Sequence, residues 1–163
     1  MPPELQDLVT EFQERNSGTP SDASTLAGPA TYSGAVAMAI DDNEDDENPT
    51  ILLGEIGLTA DFDHDSISGE LGSFTAFGDE ETVAITGELT FTNGVITGSS
   101  FLGTNLGGTL FDPDDDGFDF SGTIEGTFLT DGGGQVIGIL AGTITDGDGS
   151  IDDFDGIFSA DKD

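Results

Sequence analysis

No cysteine occurs in this chain, and lysine and arginine together number two. The first absence excludes disulfides, thiolate metal sites, a thiol nucleophile and a lipid-anchoring cysteine. The second leaves the stretch between Arg15 and Lys162 with no Lys or Arg, although it carries nearly all of the 34 Asp and Glu. A net charge of −32 cannot be offset by internal ion pairs. Each carboxylate must face water, a bound cation or a basic partner. Phosphate backbones and anionic lipid surfaces need cationic footprints, so neither nucleic acid nor a membrane surface is an expected partner. Self-repulsion at this density calls for screening by salt or bound cations. That points to a halophilic or marine, extracellular or calcium-rich setting. No apolar run approaches the length of a membrane-spanning helix, so no membrane insertion is expected. The start of the chain also lacks the basic segment and apolar block of a classical signal peptide. The expected location is extracellular, on a cell surface or on a virion surface.

What is present is ordered by pattern. The apolar share is 34%, low enough to mean disorder if it were spread evenly. Instead, Phe, Ile, Leu and Val alternate with Thr, Ser and Gly, and the carboxylates cluster between those runs. The length fits one folded domain. Residues 1–18 read as a helical arm: Pro2 and Pro3 open it, Glu4 and Asp7 suit its first turns, and Gly18 stops it. Leu5, Leu8, Val9 and Phe12 fall at helical spacing and form one apolar stripe. So short a helix does not hold alone in water, so the stripe must dock, either on its own domain or on another subunit. Residues 19–30 form a polar linker, and residues 31–163 the main domain.

From Tyr32 onward the period changes from 3.6 to 2. The expected strands are Thr31–Ile40, Ile51–Phe62, Ser66–Phe77, Thr82–Thr92, Val95–Leu102, Thr104–Phe111, Phe118–Thr130, Gln135–Thr145 and Phe154–Ala160. In the clearest, Phe118, Phe120, Gly122, Ile124, Gly126 and Phe128 share one face, and Asp119, Ser121, Thr123, Glu125 and Thr127 the other. Such alternation describes half-buried antiparallel strands. Asn93-Gly94 is a type I′ hairpin signal, and Asp131-Gly-Gly-Gly134 marks another tight turn. Closely spaced short strands with turns between them indicate an all-β barrel or sandwich. Gly alternating with bulky residues on the inward face favours the barrel, whose narrow interior needs small and large side chains together. The expected fold is an eight-stranded antiparallel up-and-down β-barrel preceded by one short amphipathic helix. A β-sandwich or jelly roll is the alternative.

The texture of Tyr32-Ser-Gly34, Gly54 to Phe62, Ile67-Ser-Gly69 and Leu89-Thr-Phe91-Thr-Asn93-Gly94-Val95-Ile96 resembles the transferrin-binding protein B-like β-barrel family. Phe120-Ser-Gly122, Gly126-Thr-Phe128, Gly138, Ala141-Gly142 and Phe154-Asp-Gly156-Ile-Phe158 are similar to that family's closing strands. The resemblance implies an eight-stranded antiparallel barrel serving as a non-enzymatic binding module on bacterial surfaces. Members of the family recognise host iron-carrying proteins, haem proteins or complement regulators. Two departures stand out: Phe128 is followed by Leu129-Thr-Asp131 where the family has an early Gly, and the anchoring Cys of its lipoproteins is missing. The resemblance therefore carries a fold and a surface-interaction role, and no ligand.

Two acidic loops have the composition of calcium sites. Asp112, Asp114 and Asp116, followed by Gly117, match the start of a calcium loop, where alternate carboxylates converge on a hard cation and Gly makes the turn. Asp119 and Thr123 then break the pattern. Asp146, Asp148, Asp152 and Asp155 fit the later part of such a loop, with Gly149 and Ile151 between them, but Ile144 stands at its first ligand position. Both loops join strands, and solvated turns of the same composition are the alternative. The run Asp41 to Glu47 reads as a solvated loop. His64 is the one histidine, between Asp63 and Asp65, with no positioned nucleophile or oxyanion signature beside it. Asp131 to Gly134 lacks the Lys and helix of a phosphate loop. No enzyme is indicated.

Three functional readings emerge. The leading one is a non-enzymatic acidic surface or structural protein, docked through its N-terminal helix in a larger assembly of virion-decoration, surface-layer or filament type. The second is a secreted ligand- or host-protein-binding barrel of the transferrin-binding type. The third is a calcium-dependent acidic module that engages a basic partner.

Overall fold

The computed structural model describes residues 3–16, 18, 20, 26–41, 50–77, 82–129 and 134–163. Helix α1 (Pro3–Asn16) is followed by β1 (Pro29–Asp41), β2 (Thr50–Asp61), β3 (Ser66–Phe77), β4 (Thr82–Ala84) and β5 (Thr86–Thr97). The chain continues through β6 (Ser100–Phe111), β7 (Gly117–Leu129), β8 (Gln135–Thr145) and β9 (Ile151–Lys162). β4 and β5 are one strand broken at Ile85. Both pair with β3, and the Ile85 amide donates to the Phe74 carbonyl at 2.9 Å between them. Each long strand pairs antiparallel with its sequence neighbours, and β1 pairs with β9 to close the ring. The result is the expected closed, eight-stranded up-and-down barrel with one short N-terminal helix. Closure removes the exposed strand edges that an open sheet would present.

The strands curl this tightly because glycines sit under aromatic rings inside. A Cβ at Gly54 would lie 2.5 Å from the Phe74 ring, at Gly69 2.6 Å from Phe91, and at Gly126 2.5 Å from Phe101. At Gly138 it would overlap both the Phe158 ring and the Glu125 carbonyl. Phe128 is the hub of the interior, with ring centroids 5.2 Å from Phe62, 5.8 Å from Tyr32 and 5.9 Å from Phe101. Val36, Met38, Leu58, Leu71 and Phe158 complete a packed apolar core, and among the described residues no carboxylate is buried.

The turns around β5 and β6 differ from expectation. The expected strand Val95–Leu102 is divided between β5 and β6, and β6 runs unbroken from Ser100 through the expected strand Thr104–Phe111. Asn93-Gly94 does not close a hairpin but lies inside β5, which runs to Thr97 and turns at Gly98-Ser99. Asn93 has φ of 55°, and the pairing with β3 slips between Ile67 and Gly69 at this point. The left-handed residue thus makes a bulge instead of a turn. Gly94 is needed there because a Cβ would come within 2.7 Å of Ile67. β6 bulges opposite, between Gly103 and Leu106, and the Asn105 side chain accepts from the Thr92 amide at 3.1 Å. The predicted turn Asp131 to Gly134 lies outside the described residues except at Gly134, as does the Asp41 to Glu47 loop beyond the backbone of Asp41.

Candidate functional site

Aromatic and aliphatic side chains pack the interior, and the polar groups and exposed apolar side chains lie on the outer wall and in the end loops. Helix α1 lies on that wall. Leu5 and Leu8 are buried against Ala35, Ala37, Ile51, Leu53 and Ile157, and Val9 is half-buried beside them. Phe12 is half-buried one turn further on. The face that the sequence reading offered to a larger assembly is thus seated on the chain's own barrel. Arg15 fastens the far end: its guanidinium donates to Ser159 Oγ at 2.8 Å, to the Ala160 carbonyl at 3.2 Å and to Asp161 at 2.9 Å. It also pairs with Glu11 one turn back, and Glu11 accepts from Ser159 Oγ at 3.1 Å.

The strip under α1 belongs to a longer row. Across neighbouring strands Val95 faces Leu102, Leu102 faces Glu125, Glu125 faces Ile139 and Ile139 faces Ile157. The row continues from Ile157 to Ala37 and from Ala37 to Leu53. Helix α1 covers the Ile157–Ala37–Leu53 half. The other half is bare, with Val95 57%, Leu102 47% and Ile139 45% exposed. These are three of the five large apolar side chains that stay exposed among the described residues. A groove of about 420 Å³ runs between this bare half and the Phe12–Asn16 edge of the helix, and Glu125 is the one ionisable residue lining it.

Sequence reasoning missed this surface for a definite reason. Strict alternation from Leu89 and Phe91 puts Val95 inside; the bulge at Asn93 adds one residue and turns it out. In β8 the run Val136-Ile137-Gly138-Ile139-Leu140 is apolar at both parities, which hides that Ile139 points to solvent. The signal is there in principle, as large aliphatic residues at outward positions of neighbouring strands.

The two acidic loops are near copies of one turn. Asp112 Oδ1 accepts from the amides of Asp114 at 2.9 Å and Asp116 at 3.0 Å. Asp146 Oδ1 accepts from Asp148 at 2.9 Å and Ser150 at 3.0 Å. The leading carboxylate of each loop therefore holds its own turn. Asp112, Asp114 and Asp116 place one oxygen each within 4.8 Å of the others, the only such acidic group among the described residues. Asp146, Asp148, Asp152 and Asp155 are not brought together in this way. Both turns lie at the same end of the barrel, which concentrates negative potential there. His64 is exposed at the opposite end, with Nδ1 2.8 Å from Asp61 Oδ2.

No family model and no curated protein matches the sequence. Solved structures match the fold. One is a vaccine-antigen double mutant of transferrin binding protein B from Haemophilus parasuis Hp5, with a TM-score of 0.56 and 16% identity over 89% of this chain. Another is intact Ap-TbpB with its N and C lobes, with a TM-score of 0.51 and 14% identity over 89% of this chain. In each case the match spans 28% of the larger protein. The likeness is one of barrel architecture.

Proposed function

We propose that this chain is a non-enzymatic interaction barrel, exposed at a surface, that binds a basic protein partner through its outer wall. The observation that carries the reading is the bare apolar half-row of Val95, Leu102 and Ile139 on a chain with a net charge of −32. The chain has two Lys and Arg against 34 carboxylates, which favours a partner of opposite sign over one of like sign. The ring packing around Phe128 at the centre of the barrel argues against a small-molecule carrier of the hollow-barrel type. The barrel likeness to transferrin binding protein B, a protein named for binding another protein, is in keeping with this role. Seating of Leu5 and Leu8 on the chain's own barrel moves the weight away from a helix-docked virion or surface-layer subunit. Light scattering on the full chain is expected to give a monomer with calcium and with chelator. A stable oligomer that Leu8→Asp with Phe12→Asp disperses, leaving the β-sheet circular dichroism intact, would restore the assembly reading.

A second reading, calcium held at the turn between β6 and β7, is favoured by the convergence of Asp112, Asp114 and Asp116.

A further inference from the structure

The geometry points to the kind of partner segment that the bare half-row accepts: a cationic amphipathic segment, laid in the groove beside α1. Its aliphatic side chains would cover Val95, Leu102 and Ile139, and a Lys or Arg would meet Glu125. This inference rests on the interaction-barrel reading and names the partner chemistry of that same wall.

Three features of the wall carry it. The first is continuity. The other half of the same cross-strand row is already occupied by an amphipathic helix, whose Leu5 and Leu8 sit over Ala37, Leu53 and Ile157. The wall is thus a proven seat for an amphipathic segment, and Phe12 and Asn16 form the shared border. The second is depletion of charge. On a chain with 34 carboxylates the groove contains only Glu125, directly between Leu102 and Ile139 in register. A single carboxylate framed by aliphatic side chains on both sides is the complement of a Lys or Arg flanked by aliphatic residues, whose stem packs while its head pairs. The third is sign. A second copy of this chain would bring another −32 charge and set like carboxylates near one another, so the occupant is a cationic partner and not the protein itself.

The test uses the full chain and two synthetic peptides of equal Leu/Lys composition, one patterned as an amphipathic helix and one scrambled. Binding of each is followed by fluorescence anisotropy at low and physiological salt. Wild type is expected to prefer the patterned peptide by about tenfold or more, since a few aliphatic contacts suffice for that ratio. The triple variant Val95→Thr, Leu102→Thr, Ile139→Thr keeps every charge and suits exposed strand positions. It is expected to bind both peptides alike. Glu125→Gln is expected to weaken the patterned peptide several-fold more than the scrambled one, beyond what losing one of many charges explains. Equal binding of the two peptides by wild type, or a preference that survives the triple substitution, overturns the inference and leaves the partner surface elsewhere on the barrel. Absence of binding to either peptide even at low salt overturns the interaction-barrel reading with it. A wild-type dimer that the triple variant converts to monomer overturns the cationic occupant in favour of a second copy.

Discussion

Arg15 Nη1 donates to Ser159 Oγ at 2.8 Å, joining residues 144 apart in sequence. Ser159 is the one polar residue that is buried among those described, and it is buried because α1 lies over it. The chain has two Lys and Arg side chains, and one of them is committed to holding the helix on the barrel. A helix tied at Leu5 and Leu8 by burial and at Arg15 by charged hydrogen bonds is part of the domain.

Replacing Arg15 with Ala should therefore lower stability by about 1–3 kcal/mol, the range for losing hydrogen bonds to a charged, partly buried group. The exposed pairing with Asp161 contributes little of that. Urea unfolding would show the midpoint falling, with the helical part of the circular dichroism lost first. Lys162→Ala, on an exposed side chain, should stay within about 0.5 kcal/mol. Equal effects from the two substitutions would mean that only overall charge matters.

The glycines beneath the rings make a sharper contrast. Gly138→Ala drives a methyl group into the Phe158 ring and the Glu125 carbonyl, where the closed sheet cannot yield. A loss of about 3 kcal/mol or more is expected, at the severe end for overpacking. Gly147→Ala, with nothing within 4 Å of the added carbon, should be close to neutral. Thermal unfolding of the pair checks it, and similar midpoints would refute the tight-wall account.

The strand pattern made the barrel legible because period-2 alternation survives in nearly every strand. The expected bounds Ser66–Phe77 and Gln135–Thr145 are those observed. Failures came where one residue broke the count. Asn93-Gly94 carries the dihedral signature of a hairpin and of a bulge alike, and only the pairing of β5 with both β3 and β6 decides between them. The helix stripe was legible as apolar, but its target was not, because Ala35, Ala37, Ile51, Leu53 and Ile157 come from three strands distant in sequence. The acidic loops were legible as loops. That Asp112 and Asp146 spend an oxygen on their own turn amides depends on backbone geometry that composition does not encode.

Tyr32 provides a pH test. Burial pushes its phenol from 10.0 up to about 12, because the phenolate would lose its hydration inside the barrel. A folded-state value raised above the unfolded one means that the stabilisation is complete below pH 10 and is lost as pH rises toward about 12. The contribution at stake is at most about 2–3 kcal/mol. The chain has a single tyrosine, so phenolate absorbance reports this group alone. Tyr32→Phe, which keeps the ring against Phe128, should flatten the alkaline loss of stability. A phenolate titration centred at the ordinary value would show the ring to be reachable by water.

The unpaired charge makes a prediction about salt. With a net charge of −32 and few pairings to oppose it, the folded state is under self-repulsion that simple electrolytes screen. The melting temperature should climb steadily with sodium chloride through the range where the Debye length falls from about 10 Å to about 3 Å. A protein of balanced charge would respond far less. A flat response here would mean that the carboxylates are neutralised some other way, by bound cations or by raised protonation.

The two matched turns separate specific calcium binding from that general screening. Both have the same backbone and the same capping carboxylate, but only the turn between β6 and β7 gathers three carboxylates. Under the calcium reading, millimolar calcium raises the melting temperature beyond an equal ionic strength of sodium chloride, as ligand linkage requires. Asp114→Asn with Asp116→Asn should abolish that excess, whereas Asp148→Asn with Asp152→Asn should leave it intact. Asp112→Ala is the wrong variant for this purpose. It removes the acceptor for two turn amides and so costs stability, on the order of 1 kcal/mol, whether or not calcium is present. Equal sensitivity to the two double substitutions would assign the whole effect to counterion screening and reject the site.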